Sequence, residues 1–373
     1  MLKKYHLKDY RFRLVIYVVT LTIIGIFVIG SAKESVQTKQ EIGMLVGIIT
    51  MVIVSLIDYK FILKFSWLIY AFTIAILMIV KFFGDDAGGA TRWIDFHGFR
   101  FQPSELAKIL LILFFAYWFS KYEEKLNTWK ILLLTIVFAA PPLLLILKQP
   151  DLSTTIVTAG IFAGMIFTAG LSYKIIGAIL LVSIPGGIVF MSLVLKDGQN
   201  ILEHFQYLRI MGWLQPEKFP ETALQQQNSI MAIGSGQLWG KGLNNNVVAS
   251  LKNGNFITEP QTDFIYAIVG EELGFVGSAV VVILLFLIAF ECILIAKKAS
   301  TMAGRLIATG VATLISVQGF INMSVATGLL PNTGLPLPFV SYGLTSLLSL
   351  YIGIGLVLNV GLQPEKYRTG VYR

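Results

Sequence analysis

Ten stretches of mostly apolar residues, each close to the length needed to cross a bilayer, dominate this chain. They run over about 12–30, 41–58, 61–83, 104–120, 128–147, 151–170, 172–195, 263–297, 303–328 and 339–362. A helix rises about 1.5 Å per residue, so about 20 apolar residues span the hydrocarbon layer. Inside that layer every backbone N–H and C=O must be satisfied within the protein, which makes such stretches helices. The expected fold is an all-α, polytopic membrane protein, a single domain over 1–373. Its largest extracytoplasmic loop, 196–262, falls between the seventh and eighth spans. The fifth and sixth spans are separated only by Lys148–Asp151, where Pro150 interrupts the helix.

Composition agrees. The chain is 55% hydrophobic and 13% charged, where a soluble domain carries about 25% charged residues. The net charge of +8 is unevenly spread. With the N-terminus inside, the inner segments hold 17 Lys and Arg and the short outer loops hold 6. Basic residues collect on the cytoplasmic side, so both termini are expected there. The positive charge thus reports topology and not nucleic-acid binding. Five basic residues precede the first apolar run, and Gly30-Ser31-Ala32 looks like a weak cleavage site. With nine further runs behind it, that first run is read as a retained span. Neither tail has room for a soluble domain. Cys292 is the lone cysteine, and His6, His97 and His204 are scattered. That excludes an intrachain disulfide and a Cys/His metal cluster.

Two outer loops are too long to be simple connectors. One runs from Phe83 to Pro103 and contains Gly88-Gly89-Ala90-Thr91-Arg92-Trp93-Ile94. The other, 196–262, is too rich in apolar residues to be disordered. Within it, 201–213 reads as an amphipathic helix lying on the membrane, and 225–242 alternates polar, apolar and glycine residues.

Ionisable groups at membrane depth are costly and point to function. Glu105 and Lys108 open the fourth span three residues apart, on one helix face. The bland alternative is that Ser104 caps that helix, Glu105 meets its dipole and Lys108 reaches outward. Asp151 follows Pro150 in what reads as a first turn, which has the same two readings. Asp263 is either a cap on the eighth span or a general base at the outer surface, beneath a loop able to hold a substrate. Glu271 and Glu272 are adjacent and deeper, so at least one faces a cavity or a protein partner. Ser235–Gly242 lacks the first glycine and the Ser/Thr of a phosphate loop. Its glycine amides and Lys241 remain candidates for a diphosphate, as do Arg92 and Arg209 for an anion.

Together these segments resemble the SEDS family (shape, elongation, division and sporulation), most closely its RodA branch. The resemblance rests on Gly89–Ile94, Phe101–Lys108, Gln149–Thr154, Ala232–Gly236 with Gly240–Gly242, Glu259–Gly274 and Leu337–Gly343. It covers nearly the whole chain, in order. It implies a peptidoglycan glycosyltransferase that polymerises lipid II at the outer membrane face, in cell elongation and rod shape. It further implies that Asp263 takes the proton from the acceptor sugar's 4-hydroxyl, and that Glu105, Lys108, Asp151 and Ser341 line a polar cavity. Arg92 and Lys241 become candidates for the diphosphate, and a divalent cation, Mg or Mn, or Arg/Lys stabilises the leaving charge. The usual partner is a class B penicillin-binding protein. Two departures stand out. Ser153 follows Asp151-Leu152 where the family often has glycine, and Leu344 follows Gly343 where a second glycine is common. The segment Thr333–Pro338 looks more like the elongation branch than the division branch; a division or sporulation paralogue is the alternative within the family. Outside it, a transporter of lipid-linked precursor would suit the buried charges and the broken span, though no inverted repeat is visible. A scaffold that only activates a penicillin-binding protein is the third class. Neither transporter nor scaffold needs an acid at 263.

Overall fold

The structure is a computed structural model describing residues 7–87, 90–96, 99–195, 202–244 and 259–363. Its helices are α1 (Phe12–Ala32), α2 (Glu34–Leu56), the short α3 (Tyr59–Leu63) and α4 (Ser66–Phe83), then α5 (Pro103–Lys121), α6 (Trp129–Leu147), α7 (Leu152–Thr168) and α8 (Tyr173–Val194). The long segment between α8 and α11 contributes α9 (His204–Leu214) and α10 (Pro220–Ser235), and α11 (Ile265–Lys298), α12 (Met302–Ala326) and α13 (Leu344–Gly361) complete the bundle. Among the described residues eight helices are long and apolar enough to cross a membrane, and α4 and α7 are shorter apolar helices. Each of the ten expected apolar runs is therefore helical. The loop before α5 differs from an all-helical reading. It forms a small antiparallel ribbon of β1 (Asp85–Ala87), β2 (Ala90–Phe96) and β3 (Phe99–Phe101).

The core of the bundle is α5, α11, α12 and α13. α12 packs on α5, α7, α11 and α13, and α13 packs closely along α2. Small residues allow this: the Gly47 face of α2 meets Tyr351, and Gly43 meets Leu344. Leu344, the departure from a second glycine, thus fills the α2–α13 contact. α8 is exposed along its length, a helix that lipid rather than protein would cover.

The ends of α1, α11 and α13 meet on one side of the bundle, where Arg11 lies against Gly361. The start of α11 lies on the opposite side. There α10 packs on α11, and its side chains bond to the last turn of α12: Gln226 Nε2 donates to the Val325 and Leu330 carbonyls, and Ser229 Oγ to Ala326. α9 is present as expected, but Ile210 and Met211 are buried against protein, and Trp213 Nε1 donates to the Gly328 carbonyl at 2.8 Å. It is docked on the bundle rather than only lying on a membrane.

Candidate active site

The residue before the N-cap of α11 is Asp263. The N-cap position belongs to Phe264, and no side chain caps this helix. The cap reading of Asp263 therefore fails. Its carboxylate has no hydrogen-bond partner among the described residues, although its main chain is firmly held. Asn322 Nδ2 donates to the Asp263 carbonyl at 2.8 Å and to Leu335 O at 2.6 Å. Ser341 Oγ donates to the Thr262 carbonyl at 2.6 Å while accepting from Leu337 N at 2.7 Å, and Tyr342 N donates to Gln261 O. The turn carrying Asp263 is thus pinned by α12 and by the segment before α13.

Cations surround the free carboxylate. Gly334 adopts a left-handed conformation (φ 72°), and a Cβ there would lie 3.3 Å from Asp263 Oδ2 and 3.8 Å from Arg209 Nη1. Only glycine suits both the backbone and this close approach. Burial pushes the Asp263 carboxyl up from 3.8 to about 6, against the opposing pull of Arg209 and Arg92; Glu259 and Asp151 add to the rise. Burial similarly lowers the Arg209 guanidinium, while Asp263 and Asp151 hold its charge and Arg92 opposes it. Arg92, from β2, donates to the Pro150 carbonyl and lies 3.7 Å from Asp151 Oδ1. Gln206 Nε2 of α9 donates to the same carbonyl at 3.2 Å. Two acids and two guanidiniums from four separate segments converge at one end of the bundle.

Asp151 itself is the N-cap of α7, not a first-turn residue. It accepts from Thr154 N at 3.0 Å and from Thr154 Oγ1 at 2.9 Å. Its pull on Arg92 links that cap to the site. The departing residue Ser153 donates to the Thr333 carbonyl, tying α7 to the loop that carries Gly334.

The other expected lining residues are placed differently. Ser104 does not cap α5, which starts at Pro103 behind Gln102. Lys108 does not reach outward; it is 1% exposed and donates to Glu105 Oε1 and Gln318 Oε1, both at 2.7 Å. Gln318 Nε2 continues the chain to the Pro336 carbonyl at 2.9 Å. This pair supports the 333–338 loop from below and is not among the charged groups acting on Asp263. Ser341 grips main chain instead of facing a cavity. Lys241 is also drawn elsewhere: its Nζ donates to Glu271 Oε1 at 2.8 Å, and its amide bonds Glu271 O. Gly242 N and Phe275 N complete this stitching across the break in α11 at Gly274 (φ 66°). The glycine-rich segment thus satisfies the carbonyls freed by a helix kink, which the amides of a diphosphate cradle would not do. Deeper, Ser31 Oγ donates to Glu272 Oε1 at 2.5 Å, so one of the paired glutamates meets α1.

Sequence reasoning passed over Gln318, Asn322, Gln206 and Gly334. Gln318 and Asn322 did carry a signal: two amides four residues apart share one face of an otherwise apolar span. Gly334 and Gln206 carried none, since their roles arise from long-range contacts. Residues Gly88 and Gly89 and the stretch 245–258 lie outside the described residues.

Comparison with known proteins is consistent with this architecture. The family described as cell cycle protein, FtsW/RodA/SpoVE, matches residues 11–366. A protein of Geobacter metallireducens named probable peptidoglycan glycosyltransferase FtsW is 34% identical, over 97% of this chain and 98% of its own. The Escherichia coli peptidoglycan glycosyltransferase MrdB is 35% identical, over 89% and 87%. Among solved structures, a chain of a peptidoglycan synthase complex that coordinates polymerisation and crosslinking superposes with a TM-score of 0.76 at 24% identity, covering 94% of this chain and 97% of its own. The Thermus thermophilus rod shape determining protein RodA superposes with a TM-score of 0.68 at 24% identity, covering 94% and 96%. With the motif segments in order, an apolar helix at each of ten expected places and a family match over nearly its full length, this chain belongs to the FtsW/RodA/SpoVE group of cell cycle proteins, the SEDS family.

Proposed function

We propose that the protein is a peptidoglycan glycosyltransferase that polymerises lipid II at the outer face of the membrane, with Asp263 as general base. The observation that carries this reading is an uncapping, unbonded carboxylate held near pH 6 between two guanidiniums. A base tuned toward neutral pH removes a hydroxyl proton well and is still ionised when needed. Asp263 accepts the proton of the acceptor's 4-hydroxyl. That oxygen bonds to the donor's anomeric carbon from the face opposite the leaving group, the bond to the polyprenyl diphosphate breaks, and the configuration inverts. Arg92 and Arg209 are the cations that act on Asp263, and fixed cations in a partly dry site would stabilise the departing negative charge strongly. Glu105, Lys108 and Ser341 act on the shape of the site, not on the reacting atoms.

Among the described residues no group of three or more metal-ligating side chains exists, but magnesium-type ions often use one or two carboxylates plus substrate phosphates. Here Asp263 would be the ligand, in place of its role as base, and the ion would supply positive charge against the diphosphate.

The curated relatives include both FtsW and MrdB names at similar identity. The likeness of Thr333–Pro338 to the elongation branch supports a role in rod shape. Depletion in its host should yield round cells; filaments would assign it to division instead. The basic bias of one side supports both termini being cytoplasmic. The solved complex that superposes on the chain supports a class B penicillin-binding protein as partner.

The deciding experiment is glycan-strand synthesis from purified lipid II, with and without such a partner and with a chelator. Asp263→Asn is expected to lower the rate by about 10²–10⁴-fold, the usual worth of a general base. Equal polymer from both proteins would remove Asp263 from the chemistry. No polymer from the wild type with its partner would favour the transporter or scaffold classes. Loss on chelation, restored by Mg or Mn, would establish the cation.

A further inference from the structure

The end of the bundle opposite Asp263 holds a cavity of about 490 Å³ that the glycosyltransferase reading does not use. It lies where the N-terminal segment and the start of α1 meet the ends of α11 and α13. Among the described residues its wall carries four cations, Lys8, Arg11, Arg13 and Lys298, and one acid, Asp9. Its apolar lining comes from Phe12, Ile295, Val360 and Gly361. Such a volume is in the range of small-ligand sites, and the charge balance selects an anion.

We propose that this cavity binds the headgroup phosphate of an anionic glycerophospholipid. Two observations favour a lipid over a soluble anion or an acidic peptide. First, the cavity lies at the end of spanning helices, where a headgroup sits; basic pockets between spans at this level suit acidic headgroups. Second, it opens onto an apolar strip of α1. Phe12 lines it, and Phe12, Ile16, Ile23 and Phe27 are all 40–59% exposed. Their spacing places them on one helix face, a continuous track for an acyl chain.

The test is native mass spectrometry of the full chain in neutral detergent, titrated with dioleoylphosphatidylglycerol or dioleoylphosphatidylcholine. The wild type should retain one phosphatidylglycerol and little phosphatidylcholine. Lys8→Gln/Lys298→Gln removes two exposed cations without touching packing, and should weaken retention by about tenfold or more, given the usual worth of a basic residue at an anionic surface. Arg11→Gln is a second variant, and Lys121→Gln/Lys125→Gln, outside the cavity, should bind like the wild type. Equal retention of both lipids, or equal loss in the control variant, would overturn the site. Displacement by millimolar glycerol 3-phosphate would overturn the lipid assignment in favour of a soluble phosphate, and displacement by a polyglutamate peptide alone would point to a protein partner instead.

Discussion

Asp263 combines two demands that conflict. A carboxylate in a desolvated turn favours its proton, and a base must give that proton up. Arg209 and Arg92 moderate the first demand, leaving a pKa of about 6. Polymerisation should therefore fall as pH drops below about 6. Arg209→Gln removes the larger of the two opposing pulls, so the acid limb of the pH–rate profile should move to higher pH; an unmoved limb would detach Arg209 from Asp263. Stability follows the reverse sign. An acid whose folded pKa is raised holds its proton more tightly when folded. Its contribution is present below its ordinary value of 3.8 and lost as pH rises through about 6. Asp263→Asn should thus be inactive yet more stable at pH 7.5, by up to about 2 kcal/mol after screening of this half-buried group. Thermal unfolding in detergent at pH 7.5 checks this, and a destabilised variant would contradict it. Function at this position is held at a cost in stability.

At the level of elements, the site is a meeting of helix ends and loops. The turn at 261–264 is shaped by the segment before α13 through Ser341, and by α12 through Asn322. Ser341→Ala leaves the Thr262 carbonyl and the Leu337 amide without that partner, at about 1–3 kcal/mol for each buried group. A slower kcat with little change in KM is expected, together with faster amide exchange over 261–264. A raised KM alone would make Ser341 a substrate contact. The same logic explains the glycine-rich segment after α10. It closes a kink in α11 at Gly274, where a Cβ would lie 2.3 Å from Gly240 N. Backbone groups released inside a membrane helix must be re-satisfied locally, and Lys241 and Gly242 do this.

Across the whole molecule, a buried polar column joins the bundle core to the roof of the site: Glu105, Lys108, Gln318 and the Pro336 carbonyl. Breaking one member leaves a buried charge without its partner. Lys108→Met should cost about 3–5 kcal/mol, whereas Lys108→Met/Glu105→Gln should recover most of it. The comparison of unfolding temperatures between the single and double variants tests this. No recovery in the double variant would mean that Lys108 acts through something other than its pair with Glu105.

Some of this was determined by sequence alone. The ten apolar runs dictated ten helices, because hydrocarbon admits no other backbone for them, and their ends moved by at most seven residues. The amphipathic pattern at 201–213 specified α9. The acid at 263 was legible as a choice between base and cap. Tertiary structure removed the cap reading by giving the N-cap position to Phe264, and it brought Arg209 and Gly334 over the carboxylate from distant segments. It also separated the other candidates. Arg92 and Asp151 join Asp263; Lys108, Ser341 and Lys241 serve the frame. Local pattern records which face of a helix avoids water. It does not record which charges meet across 50 or 100 residues, and at this site those meetings shift the pKa of Asp263.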